Sequence, residues 1–282
     1  MTATTPFVAL LYDYLLSRSI SKRAVTMLSS LLPAPQIRIM ECEIPIAGLP
    51  TDLEGIRVLH VSDLHLREGS ELAMYLPDVV GSIRHDMTVY TGDFVDTDAG
   101  TPRIEEILRK VPTRESYAVL GNHDHWKLGG SDAQNDVRAL CEALNRCGVT
   151  VLRNNSASAL GGRLHVVGTD DPVTCLDDLG LATQTVPAGA WTLLLAHTPD
   201  IVLRIRDWQP GLVLAGHTHG GQIRLPLLGP LVNMSALPRR KVKGHHHHNG
   251  VPFFVTCGIG YAGVDLRLGC PPEVALLTLV GK

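Results

Sequence analysis

The sequence predicts an α/β fold in which strands and helices alternate along most of the chain. From residue 36 onward, short apolar runs typical of buried strands alternate with polar loops and amphipathic segments. Five of these runs end, on their carboxyl side, in residues that can bind metal. In layered α/β folds, ligand sites gather at the carboxyl ends of strands, so the five runs indicate one common site.

The composition is that of a globular protein without the charge expected of a nucleic-acid-binding domain. Of its 282 residues, 45% are hydrophobic, and the net charge of -3 gives no basic excess. The six cysteines form no Cys-x-x-Cys pair, which favours free thiols in a reducing compartment over a disulfide framework. We therefore expect a cytoplasmic protein that does not bind nucleic acid.

Residues 1–35 differ in composition from the rest of the chain. Two apolar stretches, at residues 7–16 and 24–32, flank a basic turn at residues 18–23. Neither stretch reaches the roughly 20 apolar residues that a membrane-spanning helix needs. The pattern fits an anchor on the inner face of the membrane and equally a helical hairpin packed on the domain, so both interpretations stay open. Residues 36–282 are expected to form one catalytic domain.

The elements of this domain are predicted from the spacing of apolar residues and the positions of Gly and Pro. Strands are expected at residues 37–46, 56–61, 87–90, 116–120, 192–196 and 212–215, with at least two more between 253 and 280. Helices are expected at residues 71–83, with a kink at Pro77, at 102–110 and at 132–147. A hairpin is expected at residues 157–169, turning at two adjacent glycines.

Carboxylates, imidazoles and an amide follow five of these strands. Each one alone is a weak signal, because strands often end in Asp, Asn or Gly for the sake of the turn. Repetition at the same end of five strands is not easily explained by turns. The last two histidines stand two residues apart, so in an extended segment they point to the same side. The residues are Asp63 and His65, Asp93, Asn122 and His123, His197, and His217 and His219.

In this order the motifs resemble the signature of the calcineurin-like metallophosphoesterase family. They are Asp63-x-His65, Gly92-Asp93-x-x-Asp96, Gly121-Asn122-His123-Asp124, His197 and Gly216-His217-x-His219. The resemblance covers residues 56 to about 225. It implies a four-layer sandwich of two mixed β-sheets flanked by helices, with a site for two metal ions at the strand ends.

The resemblance also implies a role for each of these residues. It assigns Asp63, His65 and His219 to one ion, Asn122, His197 and His217 to the other, and Asp93 to both. A shared carboxylate would offset the repulsion between two cations about 3.5–4 Å apart. Mixed imidazole and oxygen ligands favour manganese, with iron or zinc as alternatives.

The implied reaction is hydrolysis of a phosphoric ester, with His123 acting on the leaving group. His123 is not a ligand in the family pattern, so we expect it to be the general acid or an electrostatic partner. The alternative is that it only holds Asn122. Asp63 or Asp124 is expected to orient His123, whereas Asp96 is expected to fix the loop that carries the shared carboxylate.

The residues beyond the last histidine indicate a branch of the family. That bacterial branch includes YkuE-like and YaeI-like phosphodiesterases and the chlamydial-type hydrolase of UDP-2,3-diacylglucosamine. The branch commonly has Arg at the position of Cys257, so a phosphate or sugar contact from that position is unsupported. The residues that carry the resemblance are residues 220–226, Gly258-Ile259-Gly260, Arg267 and Pro271-Pro272-Glu273.

An apolar loop at residues 225–231 and a basic run at residues 239–243 follow the last motif. Such surface would suit a lipid with an anionic head or an anionic membrane, although a solvated loop also explains the basic run. We expect a membrane-associated hydrolase of a glycolipid precursor. The alternatives are a soluble broad-range or cyclic-nucleotide phosphodiesterase and, more remotely, a non-enzymatic binding module. The four histidines at residues 245–248 are expected to form an exposed loop.

Overall fold

The computed structural model describes residues 36–68, 70–97, 100–112, 114–126 and 133–282. Two six-stranded mixed sheets pack face to face, and helices cover their outer faces, so the predicted sandwich is confirmed. The described helices are all too short or too polar to span a bilayer. Residues 1–35 lie outside the described residues, so the expectations for that segment and for a domain boundary at residue 36 stay predictions.

The first sheet supplies three of the strand ends that carry predicted ligands. Its order is β1 (Arg38–Ile46), β14 (Glu273–Gly281), β2 (Arg57–Val61), β3 (Met87–Thr91), β4 (Glu115–Val119) and β5 (Val149–Val151). Strand β14 runs parallel to β1 and antiparallel to β2, and β2 to β5 are mutually parallel. The carboxyl ends of β2, β3 and β4 therefore meet at one edge of the sheet, where Asp63, Asp93 and Asn122 follow.

The second sheet supplies the other two strand ends that carry predicted ligands. Its order is β12 (Gly244–His248), β13 (Val251–Val255), β9 (Leu212–Ala215), β8 (Thr192–Leu195), β7 (Leu164–Gly168) and β6 (Asn155–Ala159). Strands β7, β8, β9 and β13 are parallel. The antiparallel pair β6–β7 is the hairpin expected at residues 157–169. A separate two-stranded hairpin, β10 (Arg224–Leu225) with β11 (Gly229–Pro230), follows the last histidine motif.

Alternation of side chains along the strands produces the layers. In β2, Val58 packs between the sheets while Leu59 packs against the helices of the first sheet. Those helices are α1 (Leu76–Gly81), α2 (Gly100–Leu108) and α4 (Ala133–Arg146), and α5 (Leu179–Thr183) covers the second sheet. The single turn α3 (Asn122–His125) lies at the site. Short 3₁₀ turns lie at Thr51–Leu53, Leu72–Tyr75, Leu160–Gly162, Pro199–Leu203, His219–Gly221 and Arg239–Lys241.

Two local predictions are wrong. The helix expected at residues 71–83 is a 3₁₀ turn followed by α1, and Pro77 lies in the first turn of α1 instead of kinking a longer helix. A proline at this position costs no helical hydrogen bond, because an N–H group in the first turn has no partner within the helix. The histidines at residues 245–248 form the edge strand β12, paired with β13, and not a loop. Pairing lets alternate imidazoles pack, since the ring centroids of His246 and Phe253 are 5.6 Å apart.

Candidate metal centre

The side chains predicted as ligands converge at the carboxyl ends of the parallel strands of both sheets. Besides a group formed by His65, Asp93 and the predicted acid His123, two groups of three predicted ligands have ligand atoms within 4.8 Å of one another, namely Asp63, His65 and His219 in the first, and Asp93, His197 and His217 in the second. All six residues are buried. Asn122 lines the pocket that Asp93 and His217 also line. The structure thus brings together all seven predicted ligands, and their role as ligands stays a prediction.

Asp93 joins the two groups. Its Oδ2 lies 3.1 Å from Nε2 of His197 and 3.5 Å from Nε2 of His65. In the first group, the Nε2 atoms of His65 and His219 are 3.0 Å apart. In the second, Nε2 of His197 lies 3.2 Å from Nδ1 of His217. Asp93 therefore stands where a carboxylate shared by two neighbouring sites would stand.

The backbone at these strand ends lies in the left-handed region that non-glycine residues rarely adopt. Each such residue costs on the order of 1–3 kcal/mol, which a glycine would avoid. Backbone strain of this kind clusters at functional sites, so its concentration at one meeting point agrees with the prediction of a site here. Among the described residues, φ is positive at eleven non-glycine positions, and five are predicted ligands: Asp63 (56°), His65 (47°), Asp93 (52°), His217 (66°) and His219 (49°).

Glycines at two strand ends allow the site to close tightly. A Cβ on Gly216 would overlap the side chain of Ser62. A Cβ on Gly121 would lie 2.6 Å from the backbone nitrogen of Asp93 and 2.8 Å from Cε1 of His197. Both glycines are therefore required for the close approach of neighbouring turns rather than for chain flexibility.

The charges at the site are strongly coupled. Burial disfavours the charge on His197, yet Asp93 raises the pKa of His197 to about 10. Burial raises the pKa of Asp93, but the charge on His197 outweighs burial and holds the pKa of Asp93 well below its usual range. Burial and the charge on His197 lower the pKa of His217 to about 3, and burial also lowers that of His219. An imidazolium–carboxylate pair thus lies beside neutral imidazoles, whose nitrogens are able to bind a cation.

Asn122 provides a direct test of whether a metal fits. Its side-chain Oδ1 is buried and, within the described part of the chain, has no hydrogen-bond partner. Leaving such an atom unpaired costs about 1–3 kcal/mol. An amide oxygen accepts but never donates, so its missing partner is a proton donor or a cation. Amide oxygen, carboxylates and imidazoles together form a donor set suited to manganese, iron or zinc, and the residues fit a metal site.

The carboxylate that lies within hydrogen-bond distance of the His123 imidazole is Asp96, and not Asp63 or Asp124 as expected. Asp96 Oδ1 lies 2.9 Å from Nδ1 of His123 and 2.6 Å from Nδ1 of His65. One carboxylate therefore orients both a predicted ligand and the predicted acid. The contact forms because the turn after β3 lies against the turn after β4, which no local pattern encodes.

Asp124 performs the task expected of Asp96, because it fixes the loop after β3. Its Oδ1 accepts hydrogen bonds from the backbone N–H groups of Phe94 at 2.8 Å and Val95 at 3.1 Å. Its Oδ2 accepts the N–H of Gly121 at 2.9 Å. Asp124 thus holds the ends of two strands together. None of these hydrogen bonds involves the imidazole of its neighbour His123.

Two pockets border the site, and sequence reasoning missed most of their lining. The first contains Asn122 and His123 beside an apolar wall of Trp126, Val232 and Met234. Trp126 lies one helical turn beyond His123, and the ring centroids are 5.7 Å apart, so helical spacing was the available signal. The second pocket lies beside His65 and has a polar lining that includes Arg67, Glu68, Glu71, Tyr261 and Asp265.

The fold and the site define a metal-dependent hydrolase of the two-sheet sandwich type. The chain belongs to the calcineurin-like phosphoesterase family, whose sequence model matches residues 56–221. This confirms the family resemblance of the motifs. Together with the relatives described next, it makes the protein a metal-dependent phosphoric ester hydrolase.

Three bacterial relatives resemble most of the chain. The uncharacterized metallophosphoesterase YkoQ of Bacillus subtilis (strain 168) is 33% identical over 234 residues, which cover 80% of this chain and 84% of YkoQ. The uncharacterized metallophosphoesterase YkuE of the same organism is 29% identical over 256 residues, with coverages of 86% and 85%. Phosphodiesterase YaeI of Escherichia coli (strain K12) is 30% identical over 237 residues, with coverages of 79% and 82%.

Proposed function

We propose that this protein is a binuclear metal-dependent phosphoesterase acting on a membrane-associated glycolipid precursor such as UDP-2,3-diacylglucosamine. Asp63, His65 and His219 would hold one ion, Asn122, His197 and His217 the other, and Asp93 both. When bound, the ions would activate water and neutralise the phosphoryl oxygens. The observation that carries this proposal is the position of Asp93 Oδ2, 3.1 Å and 3.5 Å from imidazoles of the two groups. Manganese is the proposed metal, with iron or zinc as alternatives.

His123 is the proposed acid for the leaving oxygen. Burial disfavours its charge, but Asp93 and Asp96 raise the pKa of His123 to about 9 in the metal-free protein, where the imidazolium is present at neutral pH. Nδ1 lies within hydrogen-bond distance of Asp96, which leaves Nε2 to donate the proton. The side chain is 25% exposed and lines the pocket, so a substrate can reach it.

The linings of the two pockets support an amphiphilic substrate. The wall of Trp126, Val232 and Met234 is suited to an apolar group beside the phosphate. The pocket beside His65 offers carboxylates and a tyrosine, which are suited to the hydroxyl groups of a sugar or nucleoside. An acylated sugar nucleotide has both kinds of group. Peripheral contact with the inner face of the membrane, through residues 1–35 and 225–243, belongs to the same proposal.

A substrate panel with added manganese tests the proposal. It compares UDP-2,3-diacylglucosamine in detergent micelles, a cyclic nucleotide and a bis-aryl phosphate, with Asp93→Asn as the inactive control. We expect the highest kcat/KM for the glycolipid and two equivalents of metal per chain by elemental analysis. A higher kcat/KM for the cyclic nucleotide would favour the soluble phosphodiesterase alternative. One equivalent of metal in fully active protein would contradict the binuclear site.

A further inference from the structure

We propose that the hairpin of residues 224–230, here called the hairpin finger, inserts its tip into an anionic lipid bilayer and docks the active-site pocket on the membrane surface. The inference rests on the proposed function only in that docking would give a lipid substrate access to the site. It also narrows the membrane contact proposed above to one segment. Its test measures membrane insertion and needs no substrate, so failure of the insertion and failure of the proposed hydrolysis are distinguishable.

The tip of the hairpin finger is apolar and exposed. Strands β10 and β11 pair Leu225 with Gly229, which leaves a three-residue tip of Pro226, Leu227 and Leu228. Leu227 is 107% exposed and Leu228 is 69% exposed, the two highest values among the large hydrophobic residues of the described chain. Leucines in such positions gain nothing from the core of their own molecule.

Turn chemistry does not explain the leucines either. The N–H of Leu228 donates to the carbonyl oxygen of Pro226 at 2.8 Å, and Leu227 between them has a φ of 66°. This three-residue turn with a left-handed centre is rare and strained, and Gly or Asn would be the favoured central residue. An exposed leucine in strained backbone therefore indicates an apolar surrounding that the isolated chain does not provide.

The hairpin finger rises from the rim of the active-site pocket. Gly221 and Gln222, immediately before it, line that pocket, and so do Val232 and Met234, which follow it. The chain therefore leaves the pocket, forms the exposed tip and returns to the pocket wall. A surface that takes up the tip would lie next to the pocket opening.

Charge and size together favour a bilayer as the occupant. The 3₁₀ turn Arg239–Lys241 packs against β11, and Arg239 and Arg240 are exposed. Basic residues beside apolar anchors are the pattern of proteins that lie on anionic membranes. A specific protein partner would require roughly 800 Å² on this side of an interface, which three tip residues do not supply.

Vesicle binding of the full-length chain is the first test. Leu227→Asp/Leu228→Asp is compared with wild type by co-sedimentation with vesicles of phosphatidylglycerol and phosphatidylcholine. We expect the vesicle partition coefficient of this double variant to be at least about tenfold lower than that of wild type, since two leucines no longer enter the lipid. Arg239→Gln/Arg240→Gln should weaken binding about fivefold per charge on anionic vesicles only. Unchanged binding of the tip variant would overturn the proposal.

The matched control changes two other exposed leucines to aspartate, so that it introduces the same charge elsewhere on the surface. Leu176 is 45% exposed and Leu181 52% exposed. Helix α5, which carries Leu181, packs on β6 and β7, at the opposite edge of the second sheet from β12. Leu176→Asp/Leu181→Asp should bind vesicles like wild type. Thermal unfolding of both double variants checks that the fold is retained.

A local reporter separates the tip from any other membrane contact. Leu228→Trp should show fluorescence quenching by vesicles that contain brominated acyl chains, whereas Leu181→Trp should show none. Vesicle binding without quenching at residue 228, or no vesicle binding by wild type, overturns the proposal. Sedimentation velocity tests the remaining occupant, which is a second copy of the chain. A dimer of the wild type whose fraction falls in the Asp variant would show that the tip joins two copies, and this result would likewise overturn the proposal.

Discussion

At the scale of single residues, Asp96 connects the predicted chemistry to its support. Its Oδ1 lies within 2.6 Å of His65 and 2.9 Å of His123, and its Oδ2 lies 3.3 Å from Arg67. The orientation of a proposed metal ligand and the protonation of the proposed acid therefore depend on the same carboxylate. Although burial opposes ionisation, His65 and His123 keep the pKa of Asp96 low, so it stays charged throughout the neutral range.

Removing the imidazole of His123 tests its role as an acid. His123→Ala should lower kcat by roughly 10²–10⁴, because proton transfer to the leaving oxygen is lost. Metal content, measured by elemental analysis, should stay at the wild-type value, since His123 is not among the proposed ligands. A variant that loses its metal would instead support the alternative in which His123 only holds Asn122.

Metal binding should depend on pH through His197. Its pKa is raised to about 10 because Asp93 outweighs burial, so the ring of the metal-free protein is protonated below that pH. The proton must leave before Nε2 can bind a cation. The apparent affinity for manganese should therefore rise about tenfold per pH unit between pH 6 and 8. Competition with a chelating dye measures it, and a pH-independent affinity would refute the coupling.

At the scale of elements, the site is built by strand ends that approach closely. The turns after β3 and β4 touch through Gly121, whose φ of -109° is ordinary, so its role is purely steric. Asp124 holds the same two turns by accepting N–H groups from both. The positions of the proposed ligands thus depend on how the turns pack against one another and not only on the strand that precedes each residue.

Gly121→Ala tests this packing. The added Cβ would lie 2.6 Å from the backbone nitrogen of Asp93, so the turns must separate. We expect the free energy of unfolding to fall by about 1–3 kcal/mol, with weakened metal binding. Gly81→Ala is the matched control, because Gly81 ends α1 with nothing within 4 Å of the added carbon. Equal effects of the two substitutions in chemical denaturation and metal titration would show that the approach of the turns is unimportant.

At the scale of the whole molecule, the proposed metal centre would connect the two sheets. Four proposed ligands, Asp63, His65, Asp93 and Asn122, follow strands of the first sheet. The other three, His197, His217 and His219, follow β8 and β9 of the second sheet. The buried layer between the sheets, which contains Val58, is largely apolar. One hydrogen bond across it runs from the hydroxyl of Tyr117 in β4 to the carbonyl oxygen of Ser158 in β6 at 3.2 Å. A bound cation would therefore add cross-links that the apolar layer alone does not provide.

Manganese should stabilise the whole fold and not only the site. At a free concentration 100 times Kd, one site adds about 2.7 kcal/mol to the free energy of unfolding. Differential scanning calorimetry in manganese and in EDTA measures the change, with Asp93→Asn as the variant that should lose most of it. An unchanged Tm in wild type would contradict a ligand set that spans both sheets.

The sequence alone was sufficient to place the five strands that end in predicted site residues, and it also gave the residues that follow them. Apolar runs and the residues next to them are local patterns, so β2, β3, β4, β8 and β9 could be placed within about two residues, the usual uncertainty of element ends. The family motifs then supplied the seven predicted ligands and the acid. None of this required knowledge of which turns touch.

Only the tertiary structure decided which partner each polar group has. Asp96 and Asp124 exchanged their expected tasks, because hydrogen bonds depend on how the turns after β3 and β4 pack. The histidines of β12 became a strand because β13 offered an edge to pair with, and the leucines of the hairpin finger stayed exposed because nothing in the described chain covers them. Residue type and spacing are properties of the chain, whereas hydrogen-bond partners and exposure arise only when distant segments meet.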